Sequence, residues 1–128
     1  MENRFVKGYL NDAGTDIILL DDVTFKANDT THVDLECKIT PEPGTFAVLM
    51  SRTSAAIKGL CVAVCPIDAD YCGNVSAIVH NISNNTIHYK AGEAFCQVVF
   101  LPLAKPTIEP TIKKEGRRNR GKFGSTGI

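Results

Sequence analysis

The chain lacks long apolar runs: nothing in its 128 residues approaches the roughly 18 apolar positions that a membrane-spanning helix needs, and no signal-like stretch follows Met1. It has no CxxC pair, and its five cysteines are an odd number, which argues against a disulfide framework. A soluble protein of a reducing cytoplasm is expected, or of the host cytoplasm if a virus encodes it. Helical periodicity is nearly missing, which excludes a helical bundle. Net charge is also missing, because 14 Lys and Arg balance 14 Asp and Glu. That zero conceals two halves. Residues 1–104 carry seven basic against twelve acidic side chains, and residues 105–128 carry seven against two. A duplex-DNA binder usually presents its basic face on the folded body, so this polarity points instead to a basic tail held over an acidic body, or to a phosphate gripped between them with a metal ion.

What is present is a rhythm of short β-branched runs, bounded by Gly, Pro, Asn and Asp and recurring about every ten residues. The hydrophobic share of 44% suffices for one core, in which a chain of this length buries roughly two thirds of its unfolded surface. The pattern predicts an all-β barrel or sandwich. Its clearest strand is 31–39, where Val33, Leu35, Cys37 and Ile39 alternate with His32, Asp34, Glu36 and Lys38. Further strands are predicted over 15–20, 23–26, 45–50, 60–65, 75–80, 86–89 and 94–103, with turns at Asn84-Asn85 and Ala91-Gly92. Pro102, Pro106 and Pro110 then favour an extended arm that reaches beyond its own subunit. The expected organisation is a core over 1–104 and an arm with a glycine-rich end over 105–128. The spacing Cys61-x-x-x-Cys65, with Cys72 and His80 nearby, is read as buried strand thiols, since zinc sites favour short paired spacings.

One segment reads as a helix, 51–59, with hydroxyls to cap its start and Gly59 to end it. Arg52 and the hydroxyls there can hold a phosphate by amide donation and dipole, or can simply cap. Between two strands, Ile67-Asp68-Ala69-Asp70-Tyr71-Cys72-Gly73-Asn74 sets two carboxylates and a phenol on a turn. One carboxylate can orient a water for attack on phosphorus, although Asp and Gly also make turns for their own sake. The last dozen residues combine mobile glycines, four cations, two hydroxyls and one ring, a composition that cannot build a core. Such a segment either stays disordered or closes as a lid on an anionic nucleotide.

Five ordered segments resemble the trimeric deoxyuridine triphosphate nucleotidohydrolases, the dUTPases. They are Ala13-Gly14-Thr15-Asp16-Ile17, Arg52-Thr53-Ser54, Ile67 to Gly73, Gly92 to Gln97, and Phe123-Gly124-Ser125-Thr126-Gly127. The resemblance covers nearly the whole chain. It implies a homotrimer of jelly-roll-like β-barrel subunits, each with one short helix, whose C-terminal arms exchange so that every active site draws on all three chains. It implies that Asp68 activates the water that attacks the α-phosphorus of dUTP, releasing dUMP and pyrophosphate, which limits uracil in DNA and supplies dUMP. Tyr71 would pack under the deoxyribose, and the main chain from Val62 to Ile67 would read uracil and exclude the thymine methyl. Arg52, Thr53, Ser54, Gln97 and the cations, hydroxyls and amides of the last motif, Arg118, Arg120, Gly124, Ser125 and Thr126, would meet the phosphates, with Phe123 over the base. Mg²⁺ would bridge the phosphates, and Asp16 and Gln97 would act through its waters.

The chain also departs from the family pattern. Thr53 replaces the usual Ser, Cys65-Pro66 the usual Gly-Val, Cys72 a common Arg, and Ala94 or Phe95 the Arg of the fourth motif. Pro66 removes an amide from the uracil hairpin. Arg118 and the Arg120-Gly121 pair both fit the position that reaches the γ-phosphate. The altered hairpin motivates an alternative, a non-catalytic member that uses the nucleotide as a switch for a regulatory protein partner. A dCTP-deaminating relative would need an additional acid/base carboxylate, and the sequence assigns none. Neither nucleic acid nor a membrane is expected as a direct partner.

Overall fold

A computed structural model describes residues 4–112. Its longest pairing joins β5 (Thr45–Ser51) to β9 (Cys96–Pro102), antiparallel from Thr45 opposite Pro102 to Ser51 opposite Cys96. The sequence writes this pair as Thr, Val and Phe residues suited to a pleated surface, with Ala47, Leu49, Cys96 and Val98 buried. β2 (Thr15–Ile17) adds to the other side of β9, and β1 (Phe5–Val6) adds to β2. A second sheet runs β4 (Thr30–Asp34), β7 (Ser76–Asn81), β6 (Leu60–Val62), and a third pairs β3 (Val23–Phe25) with β8 (Ile87–Tyr89). The architecture is all-β and jelly-roll-like with one short helix, as expected. Among the described residues the three sheets are not joined into a closed ring by hydrogen bonds.

Between the sheets lies one apolar core. Phe25, Tyr89 and Phe95 meet edge to face there, with ring centroids 5.1 to 6.4 Å apart. The buried Asn81 has its polar atoms satisfied: its amide donates to the Phe25 and Asn85 carbonyls, and its oxygen accepts from Ser83. Arg4 closes the seam between sheets by donating to the carbonyls of Ile18, Leu35 and Glu36. No helix among the described residues is long and apolar enough to cross a membrane.

Several expectations are corrected. The strand predicted over 31–39 stops at Asp34, because the Asp34 carboxylate accepts the Glu36 N–H at 2.8 Å and Glu36 turns to φ 53°. The buried face persists past the break through Leu35 and Ile39. β1 was not predicted: a two-residue strand has no period to read. The helix α1 (Thr53–Lys58) begins later than predicted, and no side chain caps it. Ser51 is drawn away to the neighbouring strand, where its hydroxyl donates to the Leu60 carbonyl at 2.9 Å and accepts from the Val62 N–H at 3.1 Å. Gly59 does end the helix, at φ 109°, with its N–H on the last carbonyls.

The cysteines also differ from expectation. Cys96 is buried and Cys37 half-buried, but Cys61, Cys65 and Cys72 are exposed: Cys61 sits on the outer face of β6, and β6 ends at Val62, leaving Cys65 and Cys72 outside a strand. Burial pushes the Cys96 thiol up to about 12, and burial also raises Cys37. The thiolate is the reactive form. At pH 8, then, Cys96 should be the last thiol to react with a disulfide reagent and should be labelled only on unfolding, as peptide mapping of a labelling time course can check. Early labelling of Cys96 would contradict a closed core.

Candidate functional site

Within the described residues the predicted site residues, Val62 apart, gather in two separate clefts. The first, of about 400 Å³, is built where β2 lies beside β9 and β5 runs into α1. Register sets Asp16 directly opposite Gln97, and Gln97 in turn opposite Met50, next to the start of the helix segment. Arg52 approaches Asp16 with its Nε 3.3 Å from Oδ2, while its Nη1 donates to the Ala94 carbonyl at 3.1 Å and its own N–H to Phe95 at 2.9 Å. Gln97 donates through Nε2 to the Ser51 carbonyl at 3.2 Å. Its Oε1 lies against Gly14, where a Cβ would force the Gln97 side chain out of this position. Thr53 and Ser54 line the same cleft from the first turn of α1, together with Asp12.

Arg52 and Asp16 are both partly open to solvent, so their pair contributes at most about 1 kcal/mol and can be exchanged for a ligand. Gln97 Oε1 and the Asp16 carboxylate are hard oxygen donors. Among the described residues no group of three or more His, Cys, Asp or Glu could hold a metal. Two such oxygens suit Mg²⁺ only in its usual manner, with most of its coordination supplied by waters and phosphates.

The second cleft, of about 240 Å³, shares no lining residue with the first and contains Cys65, Pro66, Ile67, Asp68, Tyr71 and Asn74 over Leu49 and Val75. Its turn is anchored by Ile67, whose N–H and carbonyl both pair with Ala47 of β5, at 2.7 and 3.0 Å. From there Tyr71 N–H donates to the Asp68 carbonyl at 3.1 Å, and the Tyr71 hydroxyl folds forward to the Asn74 carbonyl at 2.8 Å. A Cβ on Gly73 would strike that phenol, which explains the glycine. The sequence left open which aspartate faces the site. Asp68 lines the cleft and Asp70 does not. Among the described residues the Asp68 carboxylate takes no hydrogen bond or ion pair, so it is free to accept one.

Val62 lies elsewhere. It is in β6 opposite Val79, packed on the core with its N–H on Ser51, and lines neither cleft. Arg118, Arg120, Phe123, Gly124, Ser125 and Thr126 lie outside the described residues. Asp12 and Asn74 also line the clefts and were not singled out; Asp12 caps a turn through the Tyr9 N–H at 2.8 Å, a role that carries no distinctive spacing.

The four motifs that fall within the described residues thus contribute to two clefts, three around the first and one around the second, and the dUTPase family model matches residues 3–127. The chain belongs to the dUTPase family. It is 30% identical over 125 residues to the deoxyuridine 5'-triphosphate nucleotidohydrolase of Paramecium bursaria Chlorella virus 1, covering 96% of this chain and 89% of that one. It is also 30% identical over 118 residues to the Pol polyprotein of equine infectious anemia virus (strain Wyoming), 91% of this chain but only 10% of the polyprotein. Among solved structures, native EIAV dUTPase superposes with a TM-score of 0.76 at 25% identity, covering 91% of this chain and 96% of that one.

Proposed function

We infer that the chain hydrolyses dUTP to dUMP and pyrophosphate. The observation that carries this reading is the unpaired Asp68 carboxylate beside Tyr71 in one cleft, set against a second cleft of phosphate-binding character around Arg52. A water held by Asp68 attacks the α-phosphorus as its proton passes to the carboxylate. The bond from the α-phosphorus to the oxygen it shares with the β-phosphorus breaks, and that oxygen leaves with pyrophosphate. Arg52 gives up part of its pairing with Asp16 to bind phosphate oxygens, while the Thr53 and Ser54 hydroxyls donate beside it. Asp16 and Gln97 would hold Mg²⁺ through waters; the ion would supply charge neutralisation between the phosphates. The last motif, with Arg118 or Arg120 on the γ-phosphate and Phe123 over the base, would close on the nucleotide.

Because the two clefts share no residue, a complete site needs both brought to one nucleotide. The reading assigns this to a homotrimer in which the Asp68 cleft of one copy faces the Arg52 cleft of a neighbour, with the arm over 105–128 arriving from the remaining copy. Uracil would be read by the main chain of Val64, Cys65 and Pro66, because Ala63 N–H is already bonded to Ile78 and Ile67 to Ala47. Five free cysteines suit a reducing cytoplasm.

With Mg²⁺ present, pyrophosphate release is expected from dUTP and to be at least about a hundredfold slower from dCTP, whose base edge mismatches the main-chain donors and acceptors, and also slower from dTTP, whose methyl the pocket wall excludes, and from UTP, whose 2′-hydroxyl meets Tyr71. Equal release from all four nucleotides would remove uracil recognition from the reading, and no release from dUTP would remove the activity.

A further inference from the structure

We propose that Pro66 is a positioning residue that sets the width of the base pocket by stiffening an otherwise unsupported stretch of chain. The proposal rests on the dUTP reading above. Ala63 N–H is bonded to the Ile78 carbonyl at 2.8 Å, and Ile67 is bonded twice to Ala47, at 2.7 and 3.0 Å. Between these fixed points Val64, Cys65 and Pro66 make no backbone hydrogen bond among the described residues, and all three are exposed. Cys65 and Pro66 nevertheless form the cleft wall that leads to Asp68 and Tyr71.

Such a bridge would ordinarily be a soft edge, because nothing in the sheet holds it. Proline changes that in two ways: its ring locks its own φ, and it confines Cys65 before it to the extended region. Cys65 and Pro66 thereby lose much of their freedom before any ligand arrives, so less ordering remains for binding to supply. The same stiffness keeps the wall from moving back to admit a larger base. Exclusion of a 5-methyl group is worth only about 10- to 200-fold in a rigid pocket and less in a yielding one. The missing amide is the cost, since Pro66 offers only its carbonyl to a base edge.

The test compares wild type, Pro66→Gly and Pro66→Ala by kcat and KM on dUTP and dTTP. Glycine restores the amide and frees the bridge; alanine restores the amide and frees it much less. The ratio of kcat/KM for dUTP over dTTP is expected to fall about fivefold in Pro66→Gly, with the change carried in KM, and to move less than twofold in Pro66→Ala. A Pro66→Gly ratio equal to wild type overturns the proposal. An equal fall in both variants also overturns it, because the restored amide and not lost stiffness would then be the cause. Should Pro66→Gly fail to fold, a wall softened on its flank by Val64→Gly carries the same comparison. A wild type inactive on dUTP sinks the underlying reading, an outcome distinct from an active wild type with an unchanged ratio.

Discussion

Asp68→Asn is expected to lower kcat on dUTP by about a thousandfold while KM moves by less than about threefold. Asparagine matches the carboxylate in shape and leaves the turn intact, since the Tyr71 N–H bonds to the Asp68 main-chain carbonyl and not to its side chain. What it removes is an acceptor able to take a proton from water. Because the carboxylate has no competing partner among the described residues, nothing structural is lost with it, so the effect falls on the chemical step. Asp70→Asn is the control: Asp70 shares the turn and the charge but does not line the cleft, and its activity should stay within about twofold of wild type. Steady-state kinetics of both variants, with nucleotide binding followed separately, check this. Full turnover in Asp68→Asn, or equal losses in the two variants, would remove Asp68 as the base.

Arg52→Lys is expected to lower kcat/KM by about a hundredfold although the positive charge is kept. One guanidinium reaches both Asp16, through Nε, and the Ala94 carbonyl, through Nη1. That fork fixes the plane in which its remaining donors meet a phosphate. A lysine ammonium is a point charge on a flexible stem without that plane, so its three donors do not fix the direction in which a phosphate is met. Stability should change by no more than about 1 kcal/mol, because the pair with Asp16 is partly solvated and the Arg52 N–H bond to Phe95 belongs to the main chain. Thermal unfolding alongside kinetics separates the two effects. A lysine variant with wild-type kcat/KM would show that charge alone suffices, and a large loss of stability would place Arg52 among the structural residues.

Much of this was readable from the residues because burial and polarity alternate at a fixed period. The strand over 96–102 carries that alternation along its length, the strand over 45–51 shows instead as a short apolar run with Ala47, Val48 and Leu49 buried in succession, and Gly59 is legible because a left-handed helix end favours it. The misses have physical causes that a linear pattern does not encode. Asp34 bends its own backbone, so a strand with a correct face ends early. Ser51 was read as a cap because hydroxyls commonly serve so, but the adjacent β6 competed for it. The exposure of Cys65 depends on where β6 stops, and that of Cys61 on which face of β6 it takes. Pairwise register, such as Asp16 opposite Gln97, exists only once strands from distant parts of the chain have met.

The separation of the two clefts has a genetic meaning. If each working centre borrows Asp68 from one copy and Arg52 from another, alleles damaged in different clefts form different complementation groups. Two inactive proteins, co-expressed, would then assemble some centres in which both contributions are intact, whereas two lesions in the same cleft never could. Whether two such alleles complement depends on which wall each mutation falls on, not on how severe each is.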